Sequence, residues 1–176
     1  MKYLSSKLLP AFTLAMCGML LINSTSQAEA KKAVITDGES KFIQSAAISS
    51  HAETEIAELA VKKATNPQVK AFATTLVTDH KALNKELKQL AAAQNVMISK
   101  EITPAETATL QKLERATGAE FDKEFIASVS DSHQTCLSKY EQASKDHNDK
   151  ELKMIVDKTI PVLKAHHATA VSLAAK

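Results

Sequence analysis

The sequence predicts an all-α fold, a four-helix bundle with one long crossover that carries a short helix. Three observations predict it. Beyond residue 30 the chain has only Gly38 and Gly118, only Pro67, Pro104 and Pro161, and no Trp. Ala, Lys, Glu and Leu dominate instead, residues that lose little on entering a helix. Apolar residues then recur at steps of three and four over stretches far longer than a strand. The breaks between those stretches carry cap residues and prolines where helices start.

The amino terminus stands apart. Lys2 and Lys7 make a basic start, and residues 8–22 are an apolar run interrupted mainly by Pro10, Thr13, Cys17 and Gly18. Ser26-Gln27-Ala28 or Ala28-Glu29-Ala30 supplies a small-x-small cleavage pattern. Residues 1–28 therefore read as a secretory signal peptide, with cleavage after 28 or 30. About 15 apolar residues are short of the ~20 that span a bilayer. Met16 is too large for the position before the cysteine of a lipoprotein site at Cys17. The expected location is the periplasm or cell envelope, with residues 31–176 as a single domain large enough for one core. Loss of Lys2 and Lys7 takes the formal charge of +2 to about zero, which gives no support to a nucleic-acid partner. Envelope association and a homo-oligomer stay open. Cys136 alone remains, so no internal disulfide can form. It reads as a small buried apolar residue.

Residues 31–36 are a lead-in, and Asp37 is the expected cap of the first long helix, with Glu39 in its first turn. The helix runs to about residue 65. Its inner face is traced through Phe42, Ala46, Ser49, Glu53, Ile56 and Ala60, and Glu53 is an acid on an otherwise apolar seam. Asn66-Pro67 caps and starts the second helix. The short connection makes the two helices antiparallel neighbours, each roughly 40 Å long. Val69, Phe72, Leu76, Leu83, Leu87 and Leu90 form the stripe of the second helix, and His80 sits where an apolar side chain is due, with Asp79 beside it.

Residues 95–103 are a break. Thr103-Pro104-Ala105-Glu106 is a capping-box start of a short helix to about residue 116. Leu110 and Leu113 are its contacts, and Gly118 is expected to end it. This connection is long enough to run back along the bundle. The third long helix spans about 119–145, with Phe121, Phe125, Val129, His133, Leu137 and Tyr140 on its stripe. The last helix is capped by Asn148 or Asp149. Its stripe is Leu152, Ile155, Val156, Thr159, Leu163, His166, Ala170 and Leu173, and Pro161 should kink it near residues 157–160. His80 and His133 each lie about 14 residues into their helices and share a depth; His166 is expected about one turn away. His51, His147 and His167 read as exposed.

These residues resemble a known bacterial family. Ala52-Glu53-x-Glu55-x-Ala57-x-Leu59-Ala60, Val69-Lys70-x-Phe72-Ala73 with Asp79-His80, Phe121-Asp122 with His133, and Thr159-x-Pro161-x-Leu163-x-x-His166 together look like the domain of unknown function 4142 family. The resemblance covers almost all of the chain after the signal segment. It implies an exported protein with a ferritin-like four-helix bundle and no established activity.

Glu53, His80, His133 and His166 are ligand-type groups aimed inward from four helices. Imidazoles with one carboxylate suit zinc, iron or copper. Ferritin-like di-iron sites use Glu-x-x-His on two helices, and no such spacing occurs here. The spacing thus argues against a standard di-iron oxidase. The same four residues can equally pair with one another and fix helix register as a buried polar network. A partly protonated network of this kind would be sensitive to pH. No phosphate loop, nucleophile elbow or catalytic triad appears. Two readings follow. The first is an exported, non-catalytic binding or stress-related module with a buried Glu/His network. The alternative is a ferritin-like metal-binding or redox protein using those side chains.

Overall fold

The computed structural model describes residues 35–176. The signal segment read at residues 1–28 lies outside them. Among the described residues there are five helices and no strand: α1 (Asp37–Lys63), α2 (Pro67–Gln94), α3 (Pro104–Arg115), α4 (Gly118–Asp146) and α5 (Lys150–Ala174). No described helix is long and apolar enough to cross a membrane.

Side chains at the helix ends set the topology. The Asp122 carboxylate, near the start of α4, accepts from the Thr65 and Asn66 backbone N–H groups at 3.1 and 2.8 Å. It thereby ties the start of α4 to the α1–α2 turn. At the opposite end, Glu39 Oε1 accepts from the Asn148 and Asp149 N–H groups, each at 2.9 Å, tying the α4–α5 turn to the start of α1. Hence α4 runs antiparallel to α1 and parallel to α2, and α5 returns beside α2. The stretch from 95 to 117 carries the chain back along the bundle, the single crossover expected of a ferritin-like arrangement. Its helix α3 packs on α1 and α4. Lys63 Nζ donates to the Leu113 and Glu114 carbonyls at the end of α3, and Lys112 pairs with Glu124 of α4 at 2.5 Å.

Several boundaries differ from expectation for clear reasons. Thr36, not Asp37, caps α1. Its hydroxyl accepts from Glu39 N–H at 3.2 Å while the Glu39 carboxylate accepts from Thr36 N–H at 2.8 Å. This reciprocal pairing selects the residue three before a glutamate. Gly118 does not end α3, which stops at Arg115; it opens α4 with φ of +58°, a left-handed conformation that favours glycine. Pro161 lies inside α5, as the sequence places it, on the exposed side. There the carbonyl that loses its partner can meet water. The half-buried His147 ring packs 5.2 Å from Phe42, and His51 and His167 are likewise only partly exposed.

The core is in two parts. One cluster contains Ile56, Ala57, Ala60, Val69, Phe72, Leu76, Leu113, Phe121, Phe125 and Val129. The other contains Ile43, Ala47, Leu87, Leu90, Tyr140, Leu152, Val156 and Leu163. Between them each long helix contributes buried polar residues: Ser50, Glu53 and Thr54 from α1, His80 and Asn84 from α2, His133 from α4, and His166 from α5. A polar layer thus divides the bundle at mid-height.

Glu39 offers a direct test of the end clamp. Burial alone would raise its pKa, but hydrogen bonds from the Thr36, Asp149 and Asn148 backbones and the Thr36 hydroxyl outweigh that and hold it at about 2, against an ordinary 4.5. A depressed folded pKa means stabilisation that is complete above about 4.5 and lost as pH falls toward 2. Glu39→Gln is expected to cost about 2–3 kcal/mol at pH 7. In urea titrations the gap to wild type should shrink to less than half at pH 3. An equal gap at both pH values would show that the carboxylate charge contributes nothing.

Candidate functional site

His80, His133 and His166 converge. One nitrogen from each ring lies within 4.8 Å of the others. The ring centroids are 5.5 Å apart for His80–His133, 5.7 Å for His80–His166 and 5.2 Å for His133–His166. His166 is therefore level with the other two rather than a turn away. All three side chains are buried.

Each ring has one nitrogen held by an outer partner. His133 Nδ1 lies 3.0 Å from the Val129 carbonyl oxygen. A carbonyl only accepts, so Nδ1 carries the proton and Nε2 presents its lone pair. His166 Nε2 lies 2.9 Å from Asp79 Oδ2, and donates to that carboxylate. His80 Nδ1 lies 3.2 Å from Ser50 Oγ, whose hydroxyl donates at 3.4 Å to the His80 carbonyl. Ser50 Oγ is then an acceptor for Nδ1–H, and His80 Nε2 is left with its lone pair.

The inner nitrogens are thus His80 Nε2, His133 Nε2 and His166 Nδ1. The last two face each other at 3.2 Å. With both outer bonds made, that contact needs a proton shared between the rings, or a cation in its place. His80 Nε2 is one of two buried side-chain atoms without a partner among the described residues; Asn84 Oδ1 is the other. Leaving such atoms unpaired is costly. Outer hydrogen bonds that fix ring orientation and tautomer, with the second nitrogen turned inward, are what a metal site of histidines requires.

The electrostatics favour neutral rings. Burial first, and the neighbouring His133 and His166 after it, lower the His80 pKa to about 3. Burial first, and His166 second, take His133 to about 4 despite the favourable Val129 carbonyl. Glu53 moves the other way: burial raises it to about 7 against a hydrogen bond from Ser132. His80 and His133 are therefore held neutral at neutral pH, and the partly protonated member of the layer is Glu53. Neutral imidazole is the form that ligates a metal.

Glu53 stands apart from the three histidines. It is buried on α1, but its Oε1 is 4.0 Å from the outer nitrogen of His133, too far for a hydrogen bond. It lines a groove of about 640 Å³ between α1, α3 and α4. Asp79 supports a different ring from its sequence neighbour. It points away from His80, as adjacent helical residues do, and reaches His166 across the α2–α5 seam.

Sequence reasoning missed Ser50, Thr54 and Asn84. Asn84 Nδ2 donates to the Ser50 carbonyl at 3.2 Å and to Thr54 Oγ1 at 3.1 Å, bracing α1 against α2 beside His80. For Ser50 and Thr54 the signal was a buried-face spacing of Ile43, Ala47, Ser50, Thr54 and Ala57, steps of four, three, four and three. Cys136, read as a small buried residue, is half-buried instead. Its Sγ is 3.7 Å from Ser49 Oγ, and burial raises its pKa.

Comparison with known proteins agrees with the fold. A DUF305 fragment from Deinococcus radiodurans is 10% identical with a TM-score of 0.74, over 81% of this chain and 99% of that one. CopM in its Cu(I)-bound form is 21% identical with a TM-score of 0.66, over 76% of this chain and 93% of that one. CopM in its Cu(II)-bound form is 20% identical with a TM-score of 0.68, over 77% and 95%. No curated protein sequence matches this chain. The family model described as a domain of unknown function, DUF4142, spans residues 24–173, and the chain belongs to that family.

Proposed function

We propose that this is an exported helical bundle that binds one transition-metal ion, copper before zinc, between His80, His133 and His166. The observation that carries the reading is the inward set of three nitrogens, each ring fixed from outside, one of the three buried with no partner. Imidazole donors suit copper, zinc, iron and nickel, and copper(II) heads the affinity order among the divalent ions. The helical bundle that this chain resembles, CopM, has been captured with Cu(I) and with Cu(II). Nothing in the layer resembles hydrolytic or group-transfer machinery, so a binding role is the reading that the side chains support.

A second reading is favoured by one observation: His133, His166 and Asp79 already form a hydrogen-bonded chain. On that reading the layer is structural and sets helix register.

Metal analysis of protein purified without an affinity tag separates the two, with anaerobic copper(I) titration and a parallel zinc titration. One equivalent of copper is expected, with at least a hundredfold loss of affinity in His80→Ala. Copper at 100 times its Kd should also stabilise the wild type by about 2.7 kcal/mol. Folded protein that emerges from gel filtration free of both metals would leave the structural reading.

A further inference from the structure

We propose that the metal ion reaches the three histidines between α2 and α5, past Asp79, when that seam parts, and that the Glu86–Lys158 ion pair is the latch on it. The inference rests on the metal-binding reading above and adds how the site fills.

His80 Nε2 is buried, so an ion reaches it only if helices move apart. The topology leaves one seam free to do so. The α1–α2 and α4–α5 pairs are each joined by a short turn, and Ser50 and Asn84 brace α1 on α2 beside His80. The α1–α4 seam is clamped at its two ends by the Asp122 and Glu39 carboxylates and bridged by α3. No turn joins α2 to α5. Among the described residues the hydrogen bonds across that seam are between side chains. Gln68 meets Lys176 at 3.2 Å, Asp79 meets His166 at 2.9 Å and Glu86 meets Lys158, in antiparallel register, and Gln94 meets Asp149 at 3.2 Å at the end. Exposed pairs of this kind hold weakly.

A cavity already leads in from this side. It has a volume of about 110 Å³ and is lined by Glu86, Lys158, Asp79, His80 and His166, that is, by the latch and by two of the three ligand rings. That is several times the ~10–15 Å³ that one water-sized guest needs. The Asp79 side chain is 39% exposed and also lines the surface groove along α2 and α5. Its carboxylate therefore has solvent on one side and the His166 ring on the other, and attracts a cation to the mouth. Lys158 does the reverse: its ammonium ties α5 to α2 and repels a cation. On the α1–α4 side the cavity beside His80 is about 40 Å³, and its carboxylate, Glu53, is only 6% exposed.

Stopped-flow copper(II) uptake by the full protein tests this. The signal is quenching of the fluorescence of Tyr140, which lines the cavity beside His80 and His133. In Glu86→Cys with Lys158→Cys, on a Cys136→Ser background, a bismaleimide bridge between the introduced thiols should slow uptake at least tenfold. The reference is the same variant with each thiol capped separately, and copper affinity at equilibrium should agree within threefold. Lys158→Ala should speed uptake about two- to fivefold, as expected for loss of one exposed ion pair. Lys112→Ala, which breaks the α3–α4 pair instead, should leave the rate unchanged. Equal rates in bridged and capped protein would overturn the α2–α5 route and leave the three-histidine site standing. Wild type that takes up no copper would overturn both proposals.

Discussion

Leu76→Ala should lower stability by about 2–5 kcal/mol, the range for a fully buried leucine whose neighbours relax only in part. Leu76 is 0% exposed and sits one turn before His80, at the edge of the cluster that holds Phe72, Phe125 and Val129. Its removal takes apolar contact from the seam of α2 against α1, and it opens a void beside the polar layer. For a chain of this size each kcal/mol is worth roughly 2–4 °C, so thermal denaturation followed by circular dichroism should show a drop of about 4–20 °C. Val171→Ala is the matched control. Val171 is 49% exposed, and its loss should stay within about 0.5 kcal/mol. Equal effects from the two substitutions would mean that α2 buries a different face.

That face was legible because helical periodicity is a strong constraint. Spacing alone places Val69, Phe72, Leu76, His80, Leu83, Leu87 and Leu90 inward, and all are buried but Leu83, which is half-buried. His133 and His166 followed from the same rule on α4 and α5. What periodicity fixes is direction from one axis. It does not fix which atoms on different helices meet. Asp79 lies beside His80 in sequence and serves His166 in space, a pairing that depends on the α2–α5 crossing. Glu53 was correctly placed inward but faces the outer nitrogen of His133, because its position along α1 is offset from the inner nitrogens. Drift explains the remaining misses. A stripe of 3.6-residue period passes between Ser49 and Ser50, and between Leu83 and Asn84, and in both cases packing buried the second. The Thr36 cap was legible too, in the Glu39 three residues on, but Asp37 competes with it in composition alone.

Replacing all three histidines at once, as His80→Leu, His133→Leu and His166→Leu together, is expected to abolish metal binding and leave the bundle folded. Its stability should lie between that of wild type and about 4 kcal/mol above it. Leucine nearly matches the volume of an imidazole, and the three side chains would join two apolar clusters into one. The outer partners lose little. The Val129 carbonyl belongs to the α4 ladder, and Asp79, whose side chain is 39% exposed, can turn to water. Asn84 and Thr54 keep their bonds to the Ser50 carbonyl. His133→Ala alone should behave in the opposite way, because it opens a void, removes the partner of His166 Nδ1 and leaves a polar atom buried unpaired. Urea titration of both variants separates two reasons for a polar layer inside an apolar bundle. A triple variant that is stable and metal-free means that the histidines are retained for what they bind. A triple variant more than about 2 kcal/mol weaker than wild type means that they hold the helices in register.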